Sequence, residues 1–241
     1  MTSLIKATIF DVFGTIVDWR TSIAKIATAA FTERNVDCDG FQFADYWRGQ
    51  YDPAMDKIRT GKRGYVALDE IHFENLEQTL VHFSLKDTFN RQEKNYLNEG
   101  WEKLTPWSDV VDGLHKLKSQ TIIAPCSNGS IALMTRLAKF GALPWDCILG
   151  ADLAQNYKPH PSVYRTCCEA LRLEPEEVMM VACHNNDLAA ARASGLKTGF
   201  IARPTEHGPH QTIDLSAEDN WDIIAEDLND LAEKFTAYDG H

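Results

Sequence analysis

From residue 108 onward the chain alternates short apolar runs with helix-patterned stretches, and this alternation constrains the fold more than any other feature. "SDVVDGLHKLKS" places Val110, Val111, Leu114 and Leu117 on one helical face, with Ser108 as the candidate cap. "TIIAPCS" then reads as a buried strand and "SIALMTRLAKFG" as a helix ending at Gly141. "CILGAD" is a short strand, "PSVYRTCCEALRL" a helix, "VMMVACH" a strand, "DLAAARASG" a helix stopped by Gly195, and "KTGFIAR" the last strand. Strands that alternate with helices must pair in parallel, because each helix carries the chain back to the starting edge. The expected fold is therefore α/β, a Rossmann-like parallel sheet with helices on both faces.

Residues 18 to 105 follow another rule. "TSIAKIATAAFTERN", "FADYWRGQYDPAMDKIRTG", "LDEIHFENLEQTLVHFS" and "RQEKNYLNEGWEKL" all have helical periodicity, and no strand pattern separates them. Ahead of them stands one strand, "ATIF". The expected organisation is an α/β core of residues 1–17 and 106–241 with an inserted helical cap of residues 18–105. The tail "AYDGH" is expected to fray.

A chain of 241 residues is long enough to bury such a core. Its net charge of -11 argues against nucleic acid or an anionic membrane surface as a partner. No run reaches the roughly 18 apolar residues of a membrane span, and "MTSLIKATIF" enters a strand without the order of a secretory leader. Six cysteines, none in a Cys-x-x-Cys pair, read as reduced thiols of a cytoplasmic protein.

In an open parallel sheet, ligands bind beyond the carboxyl ends of the strands. The first strand delivers Asp11 there, and "TIIAPC" delivers Ser127, Asn128 and Gly129 ahead of a helix. The loop "NYKPHP" supplies Lys158, and "VMMVAC" leads into His184, Asn185, Asn186 and Asp187. Taken singly each has an ordinary explanation: Asp11 a turn, Ser127 a cap, Lys158 and Arg48 solvated cations, His184 a core histidine. Four polar clusters meeting at one sheet edge outweigh those separate explanations. The histidines at 72, 82, 115, 160, 207 and 210 show no metal-ligand spacing and are assigned no role. The tryptophans at 19, 47, 101, 107, 145 and 221 are expected to pack.

"DVFGT", "SNG", "YKP" and the late acid Asp187 together resemble the four motifs of the haloacid dehalogenase superfamily, over nearly the whole chain and including the place of the helical cap. Most of that superfamily are magnesium-dependent phosphatases whose first motif is Asp-x-Asp, the second acid protonating the leaving group. Here Phe13 stands in that place, and "ACHNND" offers only Asp187 where the fourth motif helps hold the metal. Magnesium wants an octahedral oxygen shell, so no metal or other cofactor is expected. A departing halide is a weak base that needs no proton, which makes Phe13 tolerable for dehalogenation.

The pattern is thus most similar to the (S)-2-haloacid dehalogenases. That resemblance implies Asp11 as the nucleophile at C2, with Thr15 and Ser127 hydrogen-bonding around it or the substrate carboxylate. It implies Lys158 as the stabiliser of developing charge and Asp187 as the group that positions and activates water. Arg48 of "DYWRGQY" and Asn128 become the halide contacts, Phe13 a wall, and Tyr164 a motif tyrosine of the binding set. Better-known members carry Ser-Ser-Asn-x-Trp-Asp where this chain has Ala182, Cys183, His184, Asn185, Asn186 and Asp187. His184 is accordingly a candidate for water positioning or for shaping the pocket. The implied partner is a small haloacid, and a homodimer is compatible with the resemblance. A phosphatase or phosphonate hydrolase of the same superfamily, or a non-catalytic binding protein, is the competing reading.

Overall fold

The computed structural model describes residues 5–238. Its first strand, β1 (Ala7–Phe10), is buried at every position, Thr8 included, as a strand in the middle of a parallel sheet covered on both faces must be. A two-residue strand β2 (Val17–Asp18) follows, and then come five helices: α1 (Trp19–Glu33), α2 (Gly40–Gly49), α3 (Tyr51–Arg59), α4 (Leu68–His82) and α5 (Arg91–Asn98). A tight 3-10 turn, Glu99–Glu102, leads to β3 (Thr105–Pro106). β3 pairs antiparallel with β2, Val17 against Pro106 and Asp18 against Thr105, so this ribbon joins the two ends of the helical block.

Strand and helix then alternate as α6 (Val110–Lys118), β4 (Ile122–Ser127), α7 (Ile131–Gly141), β5 (Leu149–Gly150), α8 (Ala151–Ala154) and α9 (Pro161–Leu171). The chain ends with β6 (Val178–Ala182), α10 (Asn185–Ala193), β7 (Lys197–Ile201), β8 (Ile223–Ala225) and α11 (Leu228–Ala237). The six sheet strands lie in the order β5-β4-β1-β6-β7-β8 and pair in parallel throughout. β1 is central, with Phe10 level with Pro125 on one side and Val181 on the other. The residues just beyond these strand ends are therefore brought side by side.

Several local expectations change. The helix expected from "FADYW" to "KIRTG" breaks at Gln50, because Pro53 has no N–H to bond the Gly49 carbonyl and the chain starts a new helix. Ser108 does not cap α6; Asp109 holds that position, and its carboxylate is occupied by Arg203 and the Leu228 N–H. β2 and β3 are too short to leave a periodicity. β8 and α11 were not expected after "KTGFIAR", yet α11 packs so tightly on α6 that a Cβ on Gly113 would come 2.5 Å from that of Leu228. Of the tail, Ala237 ends α11 and the Tyr238 hydroxyl donates to Asp222; residues 239–241 lie outside the described residues. All six cysteines are free thiols. Among the described residues no helix is long and apolar enough to cross a membrane.

Candidate active site

Asp11 takes up the sheet ladder as it leaves β1, its N–H donating to the Val181 carbonyl at 2.9 Å. The backbone then turns through Gly14, whose φ of +93° is a left-handed conformation that glycine adopts without strain. The turn returns the Thr15 hydroxyl to Asp11 Oδ2, 2.7 Å away, and the Cys183 N–H donates to the same hydroxyl. Arg203 Nε clamps the turn from behind by donating to the Thr15 carbonyl.

Lys158 arrives from the loop after α8. Its backbone N–H donates to Asn128 Oδ1 at 2.7 Å, and its carbonyl accepts from Arg59 of α3, which ties the helical block to this loop. Lys158 Nζ lies 2.8 Å from Asp11 Oδ1 and 2.5 Å from Asp187 Oδ2. Burial alone would push the Asp11 carboxyl up, but the Lys158 ammonium and then His184 hold it well below the usual carboxylate range. Burial likewise works against the Lys158 charge, and Asp11 and Asp187 overcome it, raising its pKa.

His184 closes the other side. Its Nδ1 is 3.3 Å from Asp11 Oδ2 and its Nε2 is 2.9 Å from Glu206 Oε2. Burial opposes protonation of the ring, yet Cys183, Glu206 and Asp11 raise its pKa well above the ordinary value. Glu206 is only 1% exposed and also accepts the Trp19 indole N–H at 2.9 Å. Burial pushes its carboxyl up, and His184 outweighs that, bringing it down to about 2.

These groups open onto a cavity of about 670 Å³. Asp11, Lys158, Asn128, His184 and Asp187 lie on its core side, and Phe13, Trp19, Arg48, Tyr51 and Met55 on the side of the helical block. The Arg48 guanidinium carbon sits 3.7 Å from the Tyr51 ring centre and 5.5 Å from that of Trp19. Arg48 Nη1 is buried without a hydrogen-bond partner, and among the described residues no carboxylate pairs with this arginine. Phe13 is fixed by edge contacts to Tyr51 and Trp101.

Some expected site residues face elsewhere. Tyr164 is fully buried; its hydroxyl donates to Asp187 Oδ1 at 2.5 Å, so it orients that acid instead of lining the cavity. The Ser127 hydroxyl accepts from the Gly129 N–H and is likewise absent from the cavity wall. The helix start after it does not present a free Ile131 N–H, which Asp152 accepts. Trp19, expected only to pack, forms part of the wall, and His207, assigned no role, lies beside it. Glu206 was missed altogether. It follows β7 in an irregular stretch, "RPTEHG", and no periodicity or motif marks it.

Magnesium does not fit this donor set. The space between the Asp11 and Asp187 carboxylates is taken by the Lys158 ammonium, and Phe13 supplies no oxygen. The Cys183 sulfur, His184 Nε2 and Glu206 Oε2 lie within 4.8 Å of one another. The 2.9 Å His184–Glu206 spacing and the Trp19 donor make this a hydrogen-bonded cluster.

A parallel sheet with a helical insertion after its first strand, and with an aspartate, a lysine and a second aspartate at its carboxyl edge, defines a class. The family model for haloacid dehalogenase-like hydrolases matches residues 5–195, and the chain belongs to that family. Within it, the chain is 45% identical to a defluorinating L-2-haloacid dehalogenase of known crystal structure, with a TM-score of 0.95 over 96% of this chain and 95% of that one. A second L-2-haloacid dehalogenase structure is also 45% identical, with a TM-score of 0.93 over 97% and 99% of the two chains. The (S)-2-haloacid dehalogenase 4A of Burkholderia cepacia is 28% identical over 242 residues, 96% of this chain and 100% of the relative.

Proposed function

We propose that this protein is a hydrolase of carbon–halide bonds that converts short (S)-2-haloalkanoic acids to (R)-2-hydroxy acids through an ester on Asp11. The observation that carries the reading is Arg48: a guanidinium with no carboxylate partner among the described residues, framed by aromatic rings, in the same cavity as an ionised carboxylate. Asp11 attacks C2 from the face opposite the halide, and Arg48, with Asn128, binds the halide as its charge grows. Phe13 keeps that region dry. Water then opens the ester at the carboxyl carbon of Asp11, where Lys158 stands beside the developing oxyanion. One displacement at C2 inverts that centre, and hydrolysis at the acyl carbon leaves it alone.

Thr15 serves by holding Asp11, and Tyr164 by holding Asp187; Ser127 shapes the loop that carries Asn128. Residues 18–105 act as the cap that brings Arg48 over the core. The enzyme works in the cytoplasm without a metal or other cofactor, on a small-molecule partner. Its net charge of -11 disfavours nucleic acid.

The test is halide release from (S)-2-chloropropionate, with and without a chelator, beside phosphate release from p-nitrophenyl phosphate with magnesium. Chelator-resistant chloride release with (R)-lactate as product is expected. Magnesium-dependent phosphate release without chloride release would assign the chain to the phosphatases of its family.

A further inference from the structure

The scheme above leaves the second half of the reaction without a free base. Asp187 has both oxygens engaged, Oδ2 by the Lys158 ammonium at 2.5 Å and Oδ1 by the Tyr164 hydroxyl at 2.5 Å. With both oxygens engaged, Asp187 has no free oxygen to turn toward an incoming water. His184 differs. One nitrogen faces Asp11 and the other rests on a buried carboxylate, the arrangement that holds an imidazole in position as a general base. Glu206 is itself fixed, with Trp19 Nε1 donating to Oε1 while Oε2 faces the ring.

Resting on the dehalogenase reading, we infer that His184 is the catalytic base for hydrolysis of the Asp11 ester, and that Glu206 is its positioning residue. In the free enzyme the imidazolium lies between two carboxylates. Once Asp11 has become an ester and halide has left, one of those charges is gone, and the Nδ1 proton passes through the cavity to solvent. Water next attacks the acyl carbon of Asp11 while Nδ1 takes one of its protons. The tetrahedral adduct collapses by breaking the bond from that carbon to the ester oxygen. The departing alkoxide takes the proton from Nδ1 and becomes the hydroxy acid. Asp11, left as a carboxylic acid, returns water's second proton to His184 and restores the ion pair. The net reaction consumes water and yields the hydroxy acid, halide and one proton.

The test separates the half-reactions. His184→Gln and Glu206→Gln, the second keeping a side chain of the same shape without its charge, are each mixed with (S)-2-chloropropionate and quenched over time. Chloride is counted per active site, and the Asp11 peptide is weighed. Both variants are expected to release a burst of one chloride per site, to accumulate the heavier Asp11 peptide, and then to turn over at least about 100-fold more slowly than wild type. Steady turnover near the wild-type rate with no accumulated ester would overturn the inference. So would absence of a burst in both variants, which would place the pair in the displacement step. Failure of the wild-type enzyme to release chloride would instead sink the dehalogenase reading.

Discussion

Glu206 lies directly over Gly14. A Cβ built on Gly14 would meet Glu206 Oε1 at 2.1 Å, and the Gly14 φ of +93° is one that other residues rarely adopt. The turn that carries Thr15 back to Asp11 and the carboxylate that supports His184 are thus fitted around the absence of one methyl group.

Gly14→Ala must therefore displace Glu206 as well as strain the turn. Stability should fall by about 1–3 kcal/mol, the scale of one strained backbone position, as read by urea unfolding. Halide release should fall further, toward the ~100-fold that a misplaced catalytic group can cost. A variant that loses stability but keeps full turnover would show that Glu206 can move without consequence.

Arg48→Lys keeps the charge and loses the planar fork that stacks on Tyr51. The expected loss is at least about 2 kcal/mol of transition-state stabilisation, comparable to removing one oxyanion donor. It should appear in kcat/KM for (S)-2-chloropropionate. Turnover close to wild type would make Arg48 a packing residue.

Nucleophilic attack by Asp11 has an isotopic signature. With enzyme in excess, in water enriched in oxygen-18, one turnover should give unlabelled hydroxy acid and a heavier Asp11 peptide. Direct attack of water on C2 would put the label in the product at the first turnover and end the ester mechanism.

The pH dependence of stability follows from Glu206, whose carboxyl lies at about 2 in the fold against a usual 4.5. Burial pulls the other way, and His184 outweighs it. The unfolded chain takes up the proton first as pH falls, so the Glu206 contribution is complete above pH 4.5 and is lost toward pH 2. In denaturant titrations the gap between wild type and Glu206→Gln should narrow over that interval. Parallel curves from pH 6 to 2 would contradict the assignment.

Much of this is legible in the sequence. Asp11 and Asp187 each follow a buried apolar strand, and Lys158 precedes a proline in a short loop, so local pattern placed all three at one edge. Glu206 could not be read this way. Its importance comes from a long-range approach to Gly14 and His184, and the segment around it has neither strand nor helix periodicity. Tyr164 was recognisable by position, but the direction of its side chain depends on how α9 packs behind Asp187. Arg48 was marked by its neighbours in "YWR", while its stacking on Tyr51 required the break at Gln50 that turns α3 beneath it.

Lys158 gives the centre a counter-ion at fixed stoichiometry. A diffusible ion has a dissociation constant, so the filled fraction of sites follows its free concentration and that of its rivals. An ammonium carried on the chain between Asp11 and Asp187 has no such equilibrium: each folded copy holds it, in a poor medium as in a rich one. What is given up is adjustability, since one positive charge on a short aliphatic tether cannot be exchanged for a larger or harder ion. Any retuning of the charge at this position has to be made by mutation.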